Sequence, residues 1–169
     1  MPNHETYLLD ANVFIEAKRR YYAFDLCPGF WDALILHQTN TRLCSIDRVK
    51  NELERGKDDL TEWATSILPD TFFGITNENA VVNCFAEVVR WVQNQQFSQE
   101  AKAEFVNGVD AWLIAYAKAK KMILVTHEVL APEARKKVPI PNVCVAFNVQ
   151  YRDTFEMLRK LETRFILEN

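Results

Sequence analysis

The chain of 169 residues has only 4 glycines and 6 prolines, and no apolar run approaches the roughly 18 residues that a membrane span needs. Few glycines and prolines exclude collagen-like and low-complexity proteins, and 12% aromatic residues exclude intrinsic disorder. The first ten residues contain neither the basic nor the apolar segment of a secretory leader. We therefore expect one globular domain spanning 1–169, located in the cytoplasm and without membrane contact.

Cysteine pairs of the kind that bind zinc are missing. No C-x-x-C spacing occurs, and the cysteines stand singly among apolar neighbours at Cys27, Cys44, Cys84 and Cys144. Cysteine is among the most frequently buried residue types, so we expect reduced thiols that pack in the core of a cytoplasmic protein.

An excess of positive charge is also missing. The 20 basic and 23 acidic residues give a net charge of -3, whereas proteins that bind nucleic-acid duplexes nonspecifically are usually basic. Contact with a nucleic acid would need a local basic patch, or a metal ion that reverses the charge of an acidic site. Two basic runs are present, Lys18–Arg20 and Arg135–Lys137. Either run suits a solvated surface or a phosphate-binding site.

Short apolar segments alternate with segments of helical periodicity, which predicts an α/β domain with a parallel sheet covered on both faces. Strands are predicted over 7–9, 42–45, 72–75, 122–126, 143–145 and 164–167. Helices are predicted over 12–18, 30–37, 49–53, 60–68, 77–96, 98–106, 110–118 and 153–161. Residues 129–142 contain three prolines and are predicted to form a loop.

Four acidic residues fall where the carboxyl ends of parallel strands would meet. Asp10 follows the first predicted strand, Glu128 follows the strand at 122–126, and Glu52 and Asp110 lie on helices that such strands lead into. Ligands of open α/β sheets bind at this edge. Clustered carboxylates need a compensating cation, and Mg²⁺ prefers their hard oxygen ligands. A bound ion of this kind supports phosphodiester hydrolysis.

Each acidic residue also has a simpler interpretation. Asp10 and Asp110 stand where helix N-caps are expected. Glu52 suits a solvated helix surface, and Glu128 suits a loop. The functional interpretation therefore depends on the four residues lying together.

Four segments resemble, in this order, the PIN-domain ribonucleases, including the VapC-like toxins. They are YLLDANVFI at 7–15, VKNEL at 49–53, GVDAWLIAYA at 108–117 and ILVTHE at 123–128. The resemblance extends from residue 7 to about residue 149. It implies a single PIN-like domain, a three-layer α/β/α sandwich with a parallel Rossmann-like sheet. It also implies an Mg²⁺- or Mn²⁺-dependent endoribonuclease that is the toxin of a toxin–antitoxin pair.

The resemblance also implies roles for particular residues. The expected catalytic acids are Asp10, Glu52, Asp110 and Glu128, and the expected metal ligands are Asp10, Asp110 and Glu128. Glu128 takes a position that is usually Asp in the family, which moves its charge by one methylene. Asn12 and Thr126 match supporting polar positions.

The basic run after the first motif is the expected substrate-binding segment, with Lys18, Arg19 and Arg20 contacting phosphates. The neighbouring aromatic residues suit either base stacking or core packing; they are Tyr21, Tyr22, Phe30 and Trp31. His127 lies next to the predicted site and suits either proton transfer or a structural role.

The implied partners are an RNA substrate, a cognate antitoxin protein and a second copy of the chain in a homodimer, for which the amphipathic segment 77–106 offers surface. Two alternatives stay open. One is a structure-specific DNA nuclease with the same acidic site, because contacts to the 2′-hydroxyl are not visible in the sequence. The other is a non-catalytic PIN-like binding module. A dehalogenase-type phosphoryl-transfer enzyme is disfavoured, since it would need Asp where Asn12 stands.

Overall fold

A five-stranded parallel sheet forms the centre of the computed structural model, which describes residues 4–168. The strands are β1 (Tyr7–Leu9), β2 (Leu43–Ile46), β3 (Phe73–Gly74), β4 (Ile123–Val125) and β5 (Tyr151–Arg152), in the order β3-β2-β1-β4-β5. Tyr7 pairs with Leu43 on one side and with Ile123 on the other. All residues of β1 and β4 are buried, as expected for strands covered on both faces.

Helices fill the connections between strands. Between β1 and β2 lie α1 (Ala11–Glu16), a π-helical turn (Ala17–Tyr21) and α2 (Pro28–Thr39); between β2 and β3 lie α3 (Asp47–Arg55), α4 (Asp59–Ser66) and a short 3₁₀ helix (Asp70–Phe72). From β3 to β4 the chain forms α5 (Asn79–Gln93), α6 (Gln99–Asn107) and α7 (Asp110–Lys120). Then α8 (Ile140–Ala146) leads to β5, and α9 (Thr154–Lys160) follows it.

The order of the strands separates these helices into two layers. Right-handed crossovers place α1–α4 on one face of the sheet and α5–α8 on the other. The predicted three-layer α/β/α sandwich with a parallel, Rossmann-like sheet is confirmed.

Local sequence signals set several helix boundaries. The Asp58 carboxylate accepts a hydrogen bond from the Thr61 N–H at 3.1 Å and starts α4. Asp153 starts α9 in the same way through the Glu156 N–H at 2.8 Å. At the other end of a helix, Lys121 closes α7 in the left-handed region with φ 55°.

The two longest crossover helices on one face pack against each other. The apolar side of α5 contacts α7, burying Val81, Val88 and Val92. Phe85 of α5 stacks on Trp112 of α7 with ring centroids 3.8 Å apart. The apolar side of the segment expected to offer a dimer surface therefore faces the core of the same chain.

Two of the predicted strands are wrong. Residues 143–145 belong to α8 (Ile140–Ala146), because a three-residue apolar run does not distinguish a strand from a buried helical turn. The predicted loop accordingly ends before Ile140. Residues 164–167 form neither a strand nor a helix. The last strand is Tyr151–Arg152, whose two half-buried residues are too few to show a periodicity.

All four cysteines are free; Cys144 is buried and the others are partly buried. No helix within residues 4–168 has the length and apolar character needed to cross a bilayer.

Candidate active site

The site begins at the point where the strand order reverses, between β1 and β4. Leu9 and Val125 pair in register, so the residues that follow them, Asp10 and Thr126, leave the sheet side by side. The Thr126 hydroxyl donates a hydrogen bond to Asp10 Oδ2 at 3.3 Å. The carboxyl ends of strands at such a switch point are where open α/β sheets bind ligands.

Asp10 is the most buried of the four acids, with 4% of its surface exposed. Burial raises its pKa to about 7, and repulsion from Asp110, Glu128 and Glu52 adds to the rise. It occupies the N-cap position of α1 but accepts no capping hydrogen bond, so capping does not explain its presence. A buried carboxyl group that faces three others needs a proton or a cation to compensate its charge.

Asp110 and Glu52 approach this group from two helices. Asp110 is the first residue of α7, and burial raises its pKa to about 6; Glu128 raises it further, whereas Lys137 lowers it. Glu52 lies on α3 at the exposed rim, where partial desolvation raises its pKa. The structure therefore brings the four predicted acids to one edge of the sheet.

Glu128 is held by the segment that follows it. Lys137 Nζ lies 2.5 Å from Glu128 Oε1, and the backbone N–H of Ile140 donates to Glu128 Oε2 at 2.7 Å. The Glu128 N–H donates to the Thr126 hydroxyl at 3.2 Å. The predicted metal ligand thus has both carboxylate oxygens engaged within the chain, and it ties the end of β4 to the start of α8.

The remaining charge of this acidic cluster, which consists of Asp10, Glu52, Asp110 and Glu128, suits a hard divalent cation. Lys137 lowers the pKa of Asp110 and Arg55 lowers that of Glu52, yet burial and mutual repulsion keep the pKa values of Asp10 and Asp110 above their usual range. Within residues 4–168, no three acidic, histidine or cysteine side chains lie close enough together to hold one metal ion. A cation bound here would therefore use one or two of the carboxylates and several waters, which is a common arrangement for Mg²⁺.

The predicted substrate-binding run lies on the π-helical turn and is partly neutralised. Lys18 forms ion pairs with Asp58 and Asp59, and Arg20 pairs with Glu16 at 3.0 Å. Arg19 is exposed and has no acidic partner within 4.0 Å in the described part of the chain. Phosphate binding by this run stays a prediction.

Other candidate residues have structural contacts. His127 Nε2 lies 3.0 Å from the Thr154 hydroxyl, which favours the structural interpretation of this histidine. Phe30 and Trp31 are buried in the core, as the packing alternative predicted. Asn12 is exposed in the first turn of α1, next to Asp10 in sequence.

Sequence reasoning missed the partners of Glu128 and two arginines close to Glu52. Arg48 and Arg55 share the exposed side of α3 with Glu52, at spacings of four and three residues. Those spacings place them on one helix face and were readable from the sequence. The pairing of Lys137 with Glu128 depends on the course of the intervening loop, which carried no such signal.

Known structures confirm the PIN-like fold that the motifs predicted. VapBC2 from Rickettsia felis, solved bound to a DNA fragment from its promoter, is similar with a TM-score of 0.53 and 16% identity, covering 88% of this chain and 98% of that chain. FitAcB from Neisseria gonorrhoeae is similar with a TM-score of 0.53 and 18% identity, covering 86% and 96%. No curated protein sequence matches the chain.

A family profile gives the relationship at the level of sequence. The profile described as a domain of unknown function, DUF4411, matches residues 7–165. The chain belongs to this family.

Proposed function

We propose that the protein is a metal-dependent endoribonuclease and the toxin of a toxin–antitoxin pair. The observation that carries this proposal is the convergence of Asp10, Glu52, Asp110 and Glu128 at the switch point of the sheet, with their repulsion acting on a buried Asp10. The similar folds of VapBC2 and FitAcB support the same class of function. An RNA substrate, an antitoxin partner, a homodimer and a cytoplasmic location belong to this proposal.

Each residue of the cluster has a distinct part in the proposed hydrolysis. Asp10 and Asp110 would hold the Mg²⁺ or Mn²⁺ ion, and Thr126 orients Asp10 through its hydrogen bond. When bound, the ion would stabilise charge on the phosphoryl oxygens and lower the pKa of a water. Glu52, at the rim, positions the attacking water. Glu128, fixed by Lys137 and Ile140, supplies negative charge without being a direct ligand.

A cleavage assay tests the proposal. End-labelled single-stranded RNA and DNA of the same sequence are incubated with the protein in Mg²⁺, in Mn²⁺ and in EDTA. We expect metal-dependent cleavage of RNA, reduced about 100-fold or more by Asp110→Asn, because an ion contributes several kcal/mol of charge stabilisation. Asp32→Asn is the matched control, since Asp32 is an exposed residue of α2; it should cleave at the wild-type rate.

The outcomes separate the alternatives. Cleavage of DNA but not RNA would replace the ribonuclease by a DNA nuclease that uses the same acids. Binding of Mn²⁺ without cleavage of either substrate would favour the non-catalytic module. Full activity of Asp110→Asn would contradict the role of the acidic cluster.

A further inference from the structure

A polar groove of about 370 Å³ runs from the acidic cluster along α3. One wall is α3, and the other is formed by the end of α6 and the start of α7. We call it the α3 groove; its lining residues that matter here are Arg48, Asn51, Glu52, Arg55, Glu104 and Asp110. Two of these residues belong to the acidic cluster, so the groove is continuous with the proposed reaction centre.

The groove wall on α3 follows from helical spacing. Arg48, Asn51, Glu52 and Arg55 are separated by three, four and seven residues, which places them on one face of the helix. All four side chains are exposed. The two arginines lie about 10 Å apart along the helix axis. They would therefore contact different phosphate groups of one bound chain, on the same side of the acidic cluster.

Arg48 is held in place before any ligand arrives. Its guanidinium carbon lies 4.0 Å from the ring centroid of Trp112, and its Nε donates to the Thr76 hydroxyl at 3.0 Å. Phe85 stacks on the same indole ring. Among residues 4–168, the two terminal guanidinium nitrogens of Arg48 have no hydrogen-bond acceptor. A fixed guanidinium with free terminal N–H groups suits two-pronged binding of a phosphate.

The charge of the groove differs from that of the predicted substrate-binding run. Neither Arg48 nor Arg55 has an acidic partner within 4.0 Å in the described chain, whereas Lys18 and Arg20 do. Free positive charge next to carboxylates is the arrangement needed to draw an anionic polymer to a negatively charged site.

We propose that the α3 groove binds the phosphate backbone of single-stranded RNA on one side of the scissile bond. Arg48 and Arg55 contact separate phosphates, and the exposed amide of Asn51 donates to the nucleotide between them. This inference rests on the proposed ribonuclease function and adds the path of the substrate to it.

Binding without cleavage tests the path directly. Asp10→Asn protein in EDTA is titrated into a fluorescein-labelled single-stranded RNA, and fluorescence anisotropy is followed at several KCl concentrations. We expect Arg48→Gln and Arg55→Gln each to weaken binding about 5- to 10-fold and to reduce the salt slope by about 0.7, the value for one lost phosphate contact on a single strand. The affinity of Arg48→Lys should lie between those of the parent protein and Arg48→Gln, because lysine keeps the charge but cannot donate two parallel hydrogen bonds to one phosphate.

Two further variants complete the comparison. Arg159→Gln on α9 is the matched control, since Arg159 lies outside the groove, and its affinity should stay at the level of the parent protein. Arg19→Gln tests the alternative path along the predicted basic run. Because Arg48 packs on Trp112, the thermal unfolding of its variants is compared with that of the parent protein first. Arg55 is exposed, so the binding test with Arg55→Gln does not depend on an effect on folding.

Unchanged affinity and salt slope in both groove variants would overturn the inference, as would a loss confined to Arg19→Gln. Arginine-dependent binding of a poly-glutamate peptide, with no such dependence for RNA, would overturn it too and assign the groove to an acidic protein partner. If RNA binding depends on the arginines but the wild-type protein does not cleave RNA, the proposed nuclease activity is contradicted and the groove is not. If the wild-type protein cleaves RNA but RNA binding does not depend on the arginines, the proposed groove is contradicted and the nuclease activity is not.

Discussion

Glu128 and Lys137 form an ion pair, 2.5 Å between Oε1 and Nζ, that joins the end of β4 to the segment before α8. The Glu128 side chain is mostly covered, whereas that of Lys137 is exposed. The same lysine lowers the pKa of Asp110, which lies across the acidic cluster. The pair therefore connects the position of the loop with the charge of the proposed active site.

Replacing the lysine should reveal this connection in the stability of the metal-free protein. We expect Lys137→Met to lower the free energy of unfolding by roughly 0.5–1 kcal/mol at pH 8 and by less at pH 5, where protonation of the acids reduces their repulsion. Urea unfolding at the two pH values provides the measurement. Lys136→Met is the control, because Lys136 is exposed and forms no ion pair within the described residues. Equal losses for the two variants would contradict a specific role of Lys137.

Glu128→Gln asks whether this side chain is a metal ligand. The amide oxygen can still accept from the Ile140 N–H, so the tether of α8 is kept while the charge is removed. We expect Mn²⁺ affinity, measured by calorimetry, to fall about 10-fold, the lower end for a residue that is not a direct ligand, against a larger loss for Asp110→Asn. The RNA cleavage rate should follow the same order. If Glu128→Gln and Asp110→Asn lose equal affinity, Glu128 is a direct ligand and the proposed division of roles is wrong.

The sequence predicted those parts of the site that strand ends determine. Asp10 directly follows β1 and Thr126 directly follows β4, so the parallel topology alone brings them together. The segments around Glu52 and Asp110 were placed by helical periodicity and by the break at Gly108. The missing capping hydrogen bond then shows that Asp10 does not cap α1 with its side chain, a question that the sequence left open.

Contacts between distant segments were beyond sequence reasoning. Lys18 binds Asp58 and Asp59, and this pairing depends on how α4 packs beside the π-helical turn. The two-residue strand β5 was missed because its residues are polar or half-buried, and the apolar residues nearby went into α8 instead. In both cases the determining interaction is a tertiary contact, which the periodicity of the local sequence does not indicate.

Gly74 provides a prediction about packing beneath the sheet edge. A Cβ at this position would lie 2.0 Å from Tyr116 Oη and 2.5 Å from Cζ, well inside contact distance. We expect Gly74→Ala to cost about 1–3 kcal/mol, the usual range for overpacking. Thermal unfolding measures the loss, and the cost should shrink when Tyr116 is replaced by Leu. Gly29→Ala is the control, because its Cβ would meet Phe165 Cδ1 at an ordinary 3.4 Å. A loss as large at Gly29 would show that the collision with Tyr116 is not the cause.

The acidic cluster should make the metal-free protein less stable as pH rises. The folded state raises the pKa of Asp10 from 3.8 to about 7 and that of Asp110 to about 6, so folding favours their protonated forms. Their contribution is fully present below about pH 4 and is lost as pH rises through the folded-state pKa values, on the order of 2–4 kcal/mol for the buried Asp10. Chemical unfolding in EDTA from pH 4 to pH 8 measures this decline. The decline in unfolding free energy should be much smaller in the Asp10→Asn variant, since the asparagine amide does not titrate. Mg²⁺ should raise the melting temperature at pH 8 more than at pH 5, because the ion competes with protons for the same oxygens. An Asp10→Asn protein with the wild-type pH dependence would show that Asp10 is not the titrating group.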